Sequence, residues 1–141
     1  MLEPDPGVRV YPFPMLIGEV AERAGVTVKA VRYYESLGLV TARRRGNGYR
    51  DYDEHQLRLI REIHELGRLG ITAEQSRPFL ECIVSGNEQG DDCPASLETY
   101  RRAIDDMNDR MSRLAERRAA LERLLASAAA RTDPLCELAT H

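Results

Sequence analysis

Four side chains between residues 29 and 36 have the types and spacing to grip a polyanion. Lys29, Arg32, Tyr33 and Ser36 fall at i, i+3, i+4 and i+7. That spacing puts them on one face of a helix with about 3.6 residues per turn. Such a face offers cations and hydroxyls, the groups that bond phosphate oxygens and base edges. A few residues on come Arg43, Arg44, Arg45 and Arg50, with Tyr49 and Tyr52 interleaved. Basic side chains around an extended turn suit the phosphates of a neighbouring groove. A charged helix face alone is more often only solvated, but a solvated loop has no reason to be arginine-rich just after such a helix. The pattern points to double-stranded DNA. Catalysis has no comparable support, since there is no glycine-rich phosphate loop and no nucleophile–base set, and the three histidines are scattered.

The elements that must position these residues follow from periodicity. Ile17, Val20, Ala21 and Ala24 lie at i, i+3, i+4 and i+7, which predicts a short amphipathic helix stopped by Gly25. Thr27 can cap a second helix from Val28 to about Leu37, ended by Gly38, and is grouped with its contact residues. Two short helices across a tight turn make a helix-turn-helix. The second helix must divide its faces: Val28, Val31, Tyr34 and Leu37 suit a core. Of the adjacent tyrosines, Tyr34 therefore faces the core and Tyr33 faces DNA.

Gly46-Asn47-Gly48 predicts a turn between two short strands, a hairpin or wing. Asp53 can cap a third helix with Leu57, Ile60, Ile63 and Leu66 inward. Thr72 to Gln75 has the capping-box pattern for a fourth helix, within which Pro78 predicts a kink or early end. Residues 85–95 have the polar, glycine-rich composition of a linker. Beyond it Leu97, Tyr100, Ile104, Met107, Met111, Leu114, Leu121 and Leu125 alternate by three and four, the seam of a coiled coil. Nothing else in so short a chain covers that stripe, so it is expected to pair with a second copy. The predicted organisation is an irregular leader (1–14), a DNA-binding domain (15–84), the linker, a dimerisation helix (96–130) and a tail (131–141).

Of 141 residues, 43% are hydrophobic and 30% charged, a globular composition rather than a disordered one. No apolar run reaches the roughly 20 residues of a membrane span, and the first residues do not read as a secretion signal. No membrane partner is expected, and the expected compartment is the cytoplasm. The net charge of −3 hides an asymmetry. Residues 15–70 hold 10 basic and 8 acidic side chains, and residues 71–141 hold 9 and 13. Phosphate contact needs only the local excess. The three cysteines, Cys82, Cys93 and Cys136, are odd in number and widely spaced, which argues against a disulfide framework.

"IGEVAERAGVTVKAVRYYESLGLV", followed by "GYRDYDEHQLRLIREIHELGRLGIT", resembles the amino-terminal domain of the mercury-resistance regulator (MerR) family over about residues 15–82. The combination of helix-turn-helix, "RYYE…GL" and "GYRxY" carries the likeness. The resemblance implies a mostly α fold, a winged helix-turn-helix DNA-binding domain followed by a long antiparallel coiled-coil dimerisation helix. It places Arg32 and Tyr33 on the recognition helix, and Tyr49, Arg50 and Tyr52 in the wing. It further implies a homodimer on a palindromic promoter operator, distorting the DNA for RNA polymerase when an effector is sensed. Family members that sense metals place one cysteine before the dimerisation helix and others after it. Cys93 and Cys136 take those places, across an antiparallel pair, with His141 nearby in sequence. Thiolate and imidazole suit a soft or borderline metal ion. This tail has one cysteine where such sensors usually carry at least two. Oxidation of the thiols and a purely structural role are the alternatives, and Cys82 competes as the partner of Cys93. A structural coiled-coil adaptor would account for residues 96–130 but leave the arginine wing unexplained.

Overall fold

The first helix, α1 (Ile17–Ala24), forms on the predicted residues and buries Val20, Ala21 and Ala24. Gly25 ends it at φ 75°, a left-handed conformation that costs a glycine nothing. Residues 15–44 and 50–132 are described by the structure, a computed structural model of the single chain. The second helix, α2 (Val28–Ser36), starts where Thr27 Oγ1 accepts the Ala30 N–H at 3.0 Å. Val31 is fully buried, and Val28, Tyr34 and Leu37 pack on the same core.

After α2, Leu39 and Val40 drop into the core before the chain rises into the wing. Strands β1 (Arg43–Arg44) and β2 (Arg50–Asp51) are antiparallel, with Arg43 opposite Asp51 and Arg44 opposite Arg50. Their turn, with Arg45 and Tyr49, lies outside the described residues, as do the predicted leader and the tail with Cys136 and His141. Met15 adds a third line to the hairpin. Its N–H donates to the Tyr52 carbonyl at 2.9 Å and its carbonyl accepts from the Tyr52 N–H at 2.7 Å.

Asp53 caps α3 (Glu54–Arg68) by accepting the Gln56 N–H at 2.9 Å. Leu57, Ile60, Ile63 and Leu66 are buried as their spacing predicts, and Leu59 joins them. The Thr72–Gln75 capping box forms in both directions: Gln75 N–H to Thr72 Oγ1 at 3.2 Å, and Thr72 N–H to Gln75 Oε1 at 2.9 Å. It opens a 3-10 turn (Glu74–Ser76) rather than an α-helix. The α-helix that follows, α4, runs Arg77–Val84. Pro78 therefore neither kinks nor ends a helix, correcting the expectation above. It sits in the first turn of α4, where its missing N–H has no intrahelical partner to lose.

The polar stretch after α4 is folded onto the lobe. Cys82 and Cys93 are joined as a disulfide with Cα atoms 5.9 Å apart, so the spacing argument against a disulfide fails for this pair. The Asn87 side-chain amide donates to the Cys82 carbonyl at 3.0 Å. Gly90 is buried against α3 and α4, where a Cβ would lie 2.7 Å from Glu62 Oε1 and 3.2 Å from the Phe79 carbonyl. Ser96, also buried, donates its hydroxyl to the Gly90 carbonyl at 2.6 Å.

Helix α5 spans Pro94–Arg131, slightly longer than predicted at both ends. The chain divides into two compact units between Tyr100 and Arg101. Tyr100, expected in the coiled-coil seam, packs edge-on against Phe79 with ring centroids 5.0 Å apart. Its hydroxyl donates to Asp91 Oδ2 at 3.0 Å. The second unit keeps a stripe of apolar side chains in the open: Ile104, Met107, Met111, Leu114, Leu121 and Leu125 are all exposed, with Leu124 beside them.

Burial pushes the Tyr100 phenol up to about 12, and the hydrogen bond and charge of Asp91, then the charge of Glu62, act in the same direction. The folded state thus holds a proton that an unfolded tyrosine releases near pH 10. This contribution is intact below pH 10 and is lost as pH rises towards 12. Tyr100→Phe should flatten the fall in melting temperature over that window, followed by circular dichroism. An unchanged slope would show that another group controls alkaline unfolding.

Candidate nucleic-acid interface

The predicted face of α2 exists as a surface. Thr27, Lys29, Arg32, Tyr33 and Ser36 are all exposed, while Val31 on the opposite side is fully buried. Among the described residues neither Lys29 nor Arg32 is held by a carboxylate, so both cations remain available. The two hydroxyl residues are less free. Thr27 Oγ1 is occupied as the cap, and Ser36 Oγ donates back to the Tyr33 carbonyl at 2.6 Å. Arg43 is exposed at the base of the wing, and the hairpin register sets Arg44 opposite Arg50.

The adjacent tyrosines separate as predicted. Tyr34 is partly buried against the core, whereas Tyr33 is 47% exposed. The rings stay near each other, with centroids 6.3 Å apart and tilted by 52°. The Tyr33 hydroxyl donates to Glu74 Oε1 at 2.6 Å, a partner from the 3-10 turn. That hydrogen bond, then desolvation and the Glu74 charge, raises the Tyr33 phenol above its ordinary value. Nothing in the sequence flags Glu74, because the two residues are 41 positions apart and share no periodic pattern.

Tyr52 is a correction. Assigned to the DNA surface by its place in the wing, it is fully buried, with its hydroxyl donating to Glu35. The signal that identifies it lies in the next element. Tyr52 precedes the Asp53 cap and Leu57 follows four residues after that cap, the arrangement of a hydrophobic staple. Both side chains are almost wholly buried. Tyr52 therefore anchors the wing to the core.

Both helices of the helix-turn-helix have a carbonyl at the C-terminal end taken by an arginine from elsewhere. Arg61 Nη2 donates to the Arg23 carbonyl at 3.1 Å, and Arg77 Nη2 donates to the Leu37 carbonyl at 2.6 Å. Cations there also complement the helix dipole. These two contacts fix α1 and α2 to α3 and α4.

Of the expected soft-metal ligands only Cys93 lies among the described residues. Cys93 sulfur is bonded to Cys82, so it offers no thiolate in this form, and Cys136 lies outside the described residues. Among the described residues no three His, Cys, Asp or Glu side chains are grouped so as to hold a metal ion. The described residues alone do not make a metal centre.

A helix-turn-helix followed by a hairpin wing, with an open cationic helix face, defines a DNA-binding fold of the winged type. Residues 16–52 match the family described as MerR family regulatory protein. The HTH-type transcriptional regulator HmrR of Rhizobium leguminosarum bv. viciae is 32% identical over 124 residues, covering 88% of this chain and 94% of the relative. The chain belongs to the MerR family of regulatory proteins. The transcription regulator PbrR691 from Ralstonia metallidurans CH34, solved in complex with lead(II), matches with a TM-score of 0.58 at 27% identity. That match covers 84% of this chain and 88% of PbrR691. HiNmlR, a MerR family regulator lacking the sensor domain and solved bound to promoter DNA, shares the fold with a TM-score of 0.50 at 21% identity. It covers 81% of this chain and 89% of that one.

Two tyrosine variants separate anchoring from contact. Tyr52→Phe removes a buried hydrogen bond to a carboxylate and should cost about 2 kcal/mol in thermal or urea unfolding, with little change in DNA affinity of the folded protein. Tyr33→Phe should leave the melting temperature nearly unchanged and weaken DNA binding. The opposite pairing of effects would exchange the two roles.

Proposed function

We propose that this protein is a cytoplasmic transcriptional regulator that binds a palindromic promoter operator as a homodimer and distorts it for RNA polymerase. The observation that carries the reading is the face of α2, where Lys29 and Arg32 stand exposed beside Tyr33 with no carboxylate among the described residues holding them. A charged face alone is often only solvated, but here it is followed directly by the arginine-rich wing. The promoter DNA in HiNmlR supports the same use of this fold. Lys29, Arg32 and Tyr33 enter the major groove in this reading, and Arg43, Arg44, Arg45, Tyr49 and Arg50 follow the neighbouring phosphates.

The homodimer rests on α5. Leu97, Ile104, Met107, Met111, Leu114, Leu121 and Leu125 leave 41% to 71% of their surface exposed in the single chain. Apolar side chains at heptad spacing, uncovered over a helix of 38 residues, call for a second helix. Two copies in antiparallel register would bury the stripe and set two recognition helices for the two halves of a palindrome.

A duplex selected from a random library by the wild-type protein supplies the probe for both claims. Arg32→Ala should weaken binding by about fivefold or more, about 1–3 kcal/mol, with an unchanged melting temperature. Equal affinity would remove α2 from the interface. Met111→Asp places a charge in the seam and should sediment as a monomer with weak DNA binding. A Met111→Asp protein that still sediments as a dimer would move the interface off α5.

A further inference from the structure

The junction between α4 and α5 holds chemistry that DNA binding does not use. Cys82, in the last turn of α4, is 2% exposed, whereas Cys93, immediately before α5, is half-buried. Their Cα atoms are 5.9 Å apart, inside the separation a disulfide spans without backbone movement. The Asn87 side-chain amide lies 3.4 Å from Cys93 Sγ. Cys93 also stands at the N-terminal end of α5, its carbonyl accepting the Ser96 N–H at 3.0 Å. An amide donor and the positive end of a long helix both favour a thiolate over a thiol. One sulfur is reachable and prepared as a nucleophile, and the other is shielded within bonding range.

We propose that Cys93 and Cys82 form a peroxide-reactive dithiol whose oxidation state sets the affinity of the protein for its operator. Cys93 is the attacking residue and Cys82 the resolving one. The Cys93 thiolate attacks one oxygen of a hydroperoxide; the O–O bond breaks and the sulfur becomes a sulfenic acid. The departing alkoxide takes up the proton that Cys93 released, so the hydroperoxide is reduced to an alcohol, or to water when it is hydrogen peroxide. Cys82 sulfur then attacks Cys93 sulfur; the S–S bond forms and the S–O bond breaks. Hydroxide leaves with the Cys82 proton as water. Two thiols and one hydroperoxide yield one disulfide, one alcohol and one water. A dithiol reductant reverses the change through a mixed disulfide.

The bond sits where it can be felt at the DNA-binding face. It closes the loop from 83 to 92 and ties the last turn of α4 to the residue preceding α5. The other end of α4 holds the Leu37 carbonyl of the recognition helix through Arg77. A regulator that works beside DNA meets a reducing thiol pool, where disulfides are transient and signalling rather than structural. This last point rests on the DNA-binding role proposed above.

The test starts from the fully reduced, full-length protein. Hydrogen peroxide should lower the free thiols from the three cysteines in the sequence to one, by an intrachain bond. A sulfenic-acid trap such as dimedone should label Cys93 in the Cys82→Ser variant and should not label Cys82 in the Cys93→Ser variant. Operator affinity of the oxidised and reduced wild type should differ by about fivefold or more. The Cys82→Ser/Cys93→Ser double variant should give one affinity under both conditions. Thiols that ignore peroxide, oxidation that runs only through Cys136 between chains, or equal affinity of the two wild-type forms would each overturn the proposal. If neither form binds any duplex, the operator reading fails and the switch fails with it, while the thiol titration still decides whether the pair reacts with peroxide.

Discussion

One apolar stripe along α3 makes the rest of the first unit possible. Helices α1 and α2 have 8 and 9 residues, well below the roughly 12 to 15 at which an isolated helix begins to persist in water. Neither can supply its own stability. Leu57, Leu59, Ile60, Ile63 and Leu66 give α1 a surface to condense on, and α2 packs on α1 and joins the same core, at about 1.5–3 kcal/mol for each fully buried aliphatic side chain. The two arginine contacts at the ends of α1 and α2 then fix orientation, which hydrophobic burial alone leaves loosely specified. The polar face of α2 is a by-product of this arrangement. Because Val31 and Tyr34 are committed inward, Lys29 and Arg32 have only outward directions left.

What the sequence made legible was whatever local rules govern. Helix periods, the Thr27 and Asp53 caps and the glycine stop after α1 all appear at their predicted residues, because each depends on neighbours within about a turn. The partition of Tyr33 from Tyr34 was readable for the same reason. Contacts closed by the tertiary fold were not readable. Glu74 reaches Tyr33 only because the 3-10 turn folds back over α2, and Arg77 reaches Leu37 by the same route. Tyr52 groups with the wing arginines by its place in the hairpin. Its membership of the next helix's staple decided its burial.

The stretch from 85 to 93 shows how composition can mislead. Glycine, asparagine and acidic side chains describe a flexible connector when no contacts are known. In the folded chain the same features serve packing. Gly90 leaves no room for a side chain between Glu62 and Phe79, and Asn87 turns the loop by bonding the Cys82 carbonyl. Pro78 teaches a similar lesson about position. A proline is a breaker inside a helix and a starter at its first turn, and the intervening 3-10 turn decides which of these applies.

The bond between Tyr33 and Glu74 has a consequence for how the surface discriminates. A phenol whose hydrogen is engaged by a carboxylate keeps only lone pairs for anything approaching from outside. Phosphate oxygens also carry only lone pairs, so while Glu74 accepts that hydrogen bond Tyr33 has no hydrogen to offer them. The exocyclic amino groups of adenine and cytosine do carry hydrogens, and they line the major groove at sequence-dependent positions. In the proposed reading, where Tyr33 lies in the major groove, Glu74 would by fixing where one hydrogen points make Tyr33 an acceptor that favours those amino groups over phosphate.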